Sequence, residues 1–205
     1  MSVSPHRSDA TAPRGPDDLY ATPPPWDIGR PQPAFLALAE EGAIRGRVLD
    51  AGCGTGEHVL MAAALGLDAT GIDLAARALR TAEEKARARD LTVRFVRHDA
   101  RQPADLGEHF DTVLDCGLFH VFDGEDRTAY VGGLRSVLPQ GGRYFMLCVS
   151  DRERGAWGTV HKVTRGDIQT AFSDGWHIDS VEPSAIELSV APGHVEAWLV
   201  TLTRT

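Results

Sequence analysis

The feature that most constrains this chain is an apolar run that breaks into three alternating glycines: Val48-Leu49-Asp50-Ala51-Gly52-Cys53-Gly54-Thr55-Gly56-Glu57-His58. Glycine lets a backbone turn tightly and come within contact distance of a ligand. A helix that starts directly afterwards aims unpaired N–H groups at the same point. Strand, glycine loop and helix in this order open an α/β sheet, whose ligands sit beyond the carboxyl ends of its strands.

The rest of the chain keeps that rhythm. Apolar, β-prone segments at 47–51, 69–73, 92–97, 110–116 and 143–150 are expected to be strands. Helical segments are expected at 34–41, 57–65, 75–89 and 125–138, the last stopped by Pro139. A short helix over 167–172 has Thr164 as a cap and Asp167 in its first turn. Segments 177–182 and 197–203 complete the strands, with no long helix between them, as an antiparallel pair requires. Alternating strands and helices imply a mostly parallel sheet covered on both faces.

Length and composition set the organisation. The 205 residues suit one α/β domain with a short extension, and 42% hydrophobic residues supply a core. Residues 1–18 are polar and aperiodic and are expected to be a disordered tail. Residues 19–41 form an N-terminal lid segment and helix: prolines exclude a regular helix at first, yet Tyr20, Trp26 and Ile28 are wasted on a linker, so the segment should dock on the domain spanning 42–205. The net charge of −8 argues against a nucleic-acid partner, and the arginines at 77, 80, 87 and 89 alternate with Glu83, Glu84 and Asp90 as on a solvated helix face. No apolar run approaches the ~20 residues of a membrane span. An odd count of three cysteines without a secretion signal fits a cytoplasmic protein. Neither Cys53, Cys116 and Cys148 nor His161, His177 and His194 have metal-ligand spacing, so no metal is expected.

The glycine spacing selects the ligand. A dinucleotide fingerprint is GxGxxG; here the third glycine comes one residue early and Glu57 stands in its place. Asp50 precedes the first glycine by two residues, and a carboxylate there suits a cationic ligand better than a pyrophosphate. The pattern closely resembles motif I of class I S-adenosylmethionine (SAM) dependent methyltransferases. Three later motifs fall in the same order. Asp73 with Leu74 ends the second strand and resembles the family's ribose-binding acid; Asp99-Ala100 follows the third strand, where the family contacts adenine; Asp115 ends the fourth, where the family lines the methyl-transfer site. The resemblance covers residues 47–203 and implies seven strands in the order 3-2-1-4-5-7-6, with the seventh antiparallel. The implied cofactor set is Asp50, Gly52, Gly54, Gly56, Asp73, Leu74, Asp99, Ala100 and Asp115, and the product is S-adenosylhomocysteine.

The acceptor is read from what surrounds these motifs. No Asn/Asp-Pro-Pro-aromatic run follows the fourth strand, which sets the chain apart from enzymes that methylate nucleobase or glutamine amino groups. Pro25-Trp26-Asp27-Ile28-Gly29-Arg30-Pro31, with Leu118-Phe119-His120-Val121-Phe122, resembles the thiopurine S-methyltransferase-like and heterocyclic toxin methyltransferase group. That resemblance implies a small aromatic or heterocyclic acceptor, methylated at a hydroxyl oxygen, with thiol or halide methylation as the alternative. It also implies a lid folded over the cofactor. Trp26 is then a wall of the site or a buried anchor, and Arg30 a partner of the methionine carboxylate or of a surface acid. His58 at the helix start is a second candidate for that carboxylate. His120 is the candidate catalytic residue, as a general base for an acceptor that must lose a proton, or else a structural or cofactor-contacting residue. Rival readings are a nicotinamide-dependent oxidoreductase and a SAM-binding protein without catalysis. Monomer and homodimer are both compatible.

Overall fold

A computed structural model describes residues 15–158 and 160–205. Most of the tail expected at 1–18 lies outside these residues, but 16–18 do not belong to it: Pro16–Tyr20 forms a 3₁₀ turn. Seven strands make one sheet: β1 (Arg47–Ala51), β2 (Asp68–Asp73), β3 (Arg94–Arg97), β4 (Thr112–Cys116), β5 (Arg143–Val149), β6 (Trp176–Glu187) and β7 (His194–Arg204). Their order is 3-2-1-4-5-7-6, parallel except where β7 runs antiparallel to β5 and β6. The helices are α1 (Pro33–Glu40), α2 (Glu57–Ala64), α3 (Ala76–Ala88), α4 (Gly124–Val137) and α5 (Arg165–Ala171). Thr164 and Asp167 form a reciprocal capping box at the start of α5.

Both faces of the sheet are covered. In β5, Tyr144, Met146 and Cys148 pack with Tyr130, Leu134 and Phe172 on one side; Phe145, Leu147 and Val149 pack with Phe35, Val59 and Leu79 on the other. Burial on both sides explains why β5 reads as an unbroken apolar run. No described helix is long and apolar enough to cross a membrane.

The last two strands are longer than the expected 177–182 and 197–203. Pro183 reads as a strand breaker, yet it lies inside β6, opposite Trp198. β6 is the edge of the sheet, where a missing N–H costs no ladder bond. The extra length carries the hairpin past the carboxyl end of β5, since Val149 is already paired with Ala197 while β6 and β7 continue to Glu187 and His194.

That overhang grips the N-terminal segment. The Gln32 side chain both donates to Glu187 O (3.1 Å) and accepts from Glu187 N (2.8 Å), which closes a two-bond amide pair. Ser189 N donates to Pro25 O, and Arg30 pairs with Glu187. Gln32 is only 2% exposed, so its amide cannot exchange these partners for water. Gln32→Ala should lower the unfolding free energy by about 1–3 kcal/mol in urea titrations. Amide exchange should accelerate over residues 16–32 and stay unchanged in β1, β4 and β5.

Candidate functional site

The glycine loop crosses the carboxyl ends of β1 and β4 in left-handed steps. Gly56, the residue before α2, has φ +88°, and a Cβ there would come within 2.8 Å of the Ala82 methyl on α3. Gly54 has φ +53°, and a Cβ would stand 2.7 Å from the Tyr20 hydroxyl. Both positions therefore demand glycine on two counts, backbone strain and space. Leu118, from the turn after β4, packs over Gly52.

Three acids of β1 and β2 and the start of α2 define the loop's charge. Asp50 is 1% exposed and accepts one recorded hydrogen bond, from Val59 N at 3.1 Å. Burial raises its pKa to about 8, and the Val59 N–H offsets only part of that. A buried carboxylate so poorly partnered fits a cationic group brought by a ligand. Asp73 accepts from Gly54 N and Ala75 N, both at 2.8 Å, one on each oxygen, and each oxygen keeps a lone pair for a diol. Burial raises its pKa as well. Glu57 is buried at the first turn of α2, where its carboxylate takes two bonds from Arg89 and one ion pair from Lys85. Burial opposes its ionisation, but these cations hold its pKa below the usual carboxylate value. The Glu57 charge is thus spent on the chain's own cations, and in the first turn of α2 the Val59 N–H is already taken by Asp50, which disfavours the dinucleotide reading.

The N-terminal segment lies over this loop. Thr55 Oγ1 donates to Asp27 at 2.8 Å, Lys85 bridges Thr55 and Asp27, and the Arg77 N–H at the start of α3 donates to Asp17. Tyr20 covers Gly54; burial first, and the charge of Asp73 second, push its phenol pKa well up. Trp26 meets the Tyr20 hydroxyl but is 43% exposed, so it is not a buried anchor.

Several expected site residues are engaged elsewhere. His58 Nε2 accepts from Gln32 N at 3.1 Å, its ring lies tilted against Phe35, and burial lowers its pKa to about 4. It is a neutral peg for the N-terminal segment and offers no charge to a carboxylate. Arg30 pairs with Glu187 at the surface, the second of its two readings. Asp99 is clamped by Arg101, which holds its pKa down, and Arg101 also pairs with Asp126. Ala100 is buried beside it, and Leu74 is exposed after the end of β2.

Asp115 requires a correction. Its carboxylate is fully buried and accepts from Tyr130 OH (2.8 Å), Tyr144 OH (2.7 Å), Leu118 N (2.8 Å) and Phe119 N (3.1 Å). With four donors from the chain, it has nothing left for a cofactor. Its work is to fix the Phe119–Val121 turn, which carries His120. His120 is 7% exposed, and its Nδ1 accepts from Val149 N at 3.0 Å. Burial, with His161 adding to it, lowers its pKa to about 4.

Residues 48–142 match the family described as Methyltransferase domain. A 2-heptyl-1-hydroxyquinolin-4(1H)-one methyltransferase of Mycobacteroides abscessus is 32% identical, over 91% of this chain and 80% of its own. The chain belongs to the methyltransferase family. A probable thiol methyltransferase 2 of Arabidopsis thaliana is 29% identical, over 82% of this chain and 74% of its own. Among solved structures, one described by the conversion of a disulfide bond into a thioacetal group during echinomycin biosynthesis superposes with a TM-score of 0.81 at 37% identity, over 92% of this chain and 91% of that one. The methyl donor of this SAM-dependent methyltransferase is S-adenosyl-L-methionine, and the loop, Asp50 and Asp73 fit its parts.

Sequence reasoning missed Tyr20 and Gln32 as site-forming residues, although it expected their segment to dock. It also missed the ion-pair cluster of Glu57 with Lys85 and Arg89, which ties α2 to α3. The methyltransferase should bind S-adenosylhomocysteine more tightly as pH rises. If Asp50 holds the ammonium it does so ionised, and below about pH 8 it must first shed a proton. Calorimetry should show affinity falling by up to about tenfold per unit from pH 8 to pH 6, and Asp50→Asn should bind weakly without that slope.

Proposed function

We propose that the chain methylates a small aromatic or heterocyclic acceptor at a hydroxyl oxygen. The cofactor, when bound, supplies a methyl group made electrophilic by its sulfonium. Asp50 would hold the ammonium of the methionine part, Asp73 the ribose hydroxyls, and the left-handed loop at Gly54 and Gly56 would let the backbone approach both. The turn after β4 would present the acceptor. The single observation that carries this reading is Asp50, a buried acid with one hydrogen bond, whose donor, Val59 N, lies in the first turn of α2. That arrangement suits a cationic group and spends on the chain's own acid an N–H that a pyrophosphate would use.

The residues act mainly by placement. Methyl transfer is an in-line displacement, so alignment of the acceptor and exclusion of water account for most of the acceleration. Tyr20 and Trp26 on one side and Leu118 on the other supply apolar surface for a flat ring. The relative named for a 1-hydroxyquinolin-4(1H)-one supports a bicyclic heteroaromatic bearing a hydroxyl. A second reading, a sulfur acceptor, is favoured by the 37% identical structure described by a disulfide conversion. Incubation with methyl-labelled S-adenosylmethionine and a panel of hydroxyquinolones, N-hydroxyquinolones, phenols and thiols separates the two. Label is expected on the oxygen of the hydroxy-heteroaromatics; label on the thiols alone would select the sulfur reading, and none on any member would overturn both.

A further inference from the structure

We propose that His120 serves the acceptor as a fixed hydrogen-bond donor through Nε2–H, and that the site therefore takes acceptors that arrive already ionised, N-hydroxy heteroaromatics ahead of ordinary phenols. This rests on the acceptor class proposed above. The argument begins at the other ring nitrogen. Val149 N–H points at Nδ1 from 3.0 Å. A backbone N–H only donates, so Nδ1 is the unprotonated nitrogen, and the one proton of the neutral ring is on Nε2. A second proton would have to displace the Val149 bond inside a sealed pocket. The ring therefore stays neutral near pH 7, and no lone pair of Nε2 is open to take a proton from an acceptor.

The free edge of the ring faces the end of β4. A Cβ on Gly117, the first residue past that strand, would sit 3.3 Å from Cε1 and 3.6 Å from Nε2. Among the described residues Nε2 has no hydrogen-bond partner, and it is not one of the sealed, unpartnered polar atoms. Titratable groups near it on the packed elements include Asp115 and Cys116 of β4, Arg127 and Tyr130 of α4, Tyr144 and Cys148 of β5, and Asp123 and His161 of the flanking loops. Asp115 is saturated by its four donors, two of them the tyrosine hydroxyls. His161 pairs with Asp123 at 3.5 Å at the surface, with 44% and 73% of the two side chains in solvent.

A neutral N–H donor binds an anion more strongly than a neutral hydroxyl, since a bond to an ionised acceptor is roughly twice as strong. It also leaves the deprotonation to water. A phenol with a pKa near that of tyrosine is ionised to about one part in a thousand at pH 7. An N-hydroxy group conjugated to a ring carbonyl is far more acidic and arrives mostly as the anion. In the step itself, the acceptor has already lost its proton to solvent. A lone pair of its oxyanion forms the bond to the methyl carbon as the carbon–sulfur bond breaks, and that pair remains on sulfur as a neutral thioether. His120 begins and ends with one proton.

The test uses the full chain with a series of hydroxy- and N-hydroxy-heteroaromatics of graded acidity. The acidic limb of kcat/KM should move with the pKa of each acceptor. His120→Gln, a donor that is no base, should keep kcat/KM within about tenfold, whereas His120→Leu should lose about 100-fold or more. Calorimetry with S-adenosylhomocysteine reports whether each variant retains its cofactor site. Nitrogen NMR of wild-type His120 reads the tautomer without any acceptor and should show protonation at Nε2 only, unchanged between pH 6 and 8. A ring protonated at Nδ1, or one that titrates in that range, overturns the inference. So does a limb that stays near neutrality for every acceptor and vanishes in both variants, although the acceptor class then stands. Absence of transfer across the whole series, with S-adenosylhomocysteine bound normally, overturns that class and the selection for ionised acceptors with it.

Discussion

The buried carboxylate of Asp115 holds the functional end of the sheet together. Two tyrosine hydroxyls reach it from α4 and β5, and two backbone amides reach it from the turn that follows its own strand. A carboxylate in an apolar interior is costly unless its lone pairs are filled, and removal of any one donor leaves the others facing an under-solvated charge. The turn is therefore fixed from beneath. It lays Leu118 over the first glycine of the loop and sets His120 against the last residue of β5. The cofactor side and the acceptor side of the crevice thus share one anchor that touches neither ligand.

In the proposed reaction a cation meets an anion and yields two neutral products, so charge disappears as the transition state forms. A site that stays dry and carries few free charges favours such a step. The chain meets this requirement with groups whose charges are either spent or withheld. Glu57 is neutralised by Lys85 and Arg89, and Asp99 by Arg101. His58 and His120 are kept uncharged by burial and by backbone N–H donors that use one nitrogen of each ring. Asp50 is the exception, a buried acid with one bond, and it is the group that the zwitterionic tail of the cofactor would complete.

Much of this was legible in the sequence, and the limits follow from the kind of interaction involved. The glycine spacing and the acids at 50 and 73 are local signals that carried the family resemblance, and the resemblance implied the sheet order and the cofactor. Strand ends were found to within a residue or two where the apolar run is continuous, as at β1 and β5. The edge hairpin is longer than its sequence suggests because a proline such as Pro183 fits a strand only at a sheet edge, and edge position is a property of the whole sheet. The role of Asp115 depends on tyrosines 15 and 29 residues away. The tautomer of His120 depends on a main-chain amide, which every residue but proline possesses and which no sequence pattern marks.

The overhanging hairpin has a consequence for biosynthesis. The segment that roofs the glycine loop is made early, but its anchor at Glu187 follows Gln32 by 155 residues. Domains emerge amino terminus first, so until β6 and its turn have been translated this roof is held only by its bonds to Thr55, His58, Arg77 and Lys85. A nascent chain halted before residue 187 would carry the complete glycine loop under a roof that lacks its hairpin clasp.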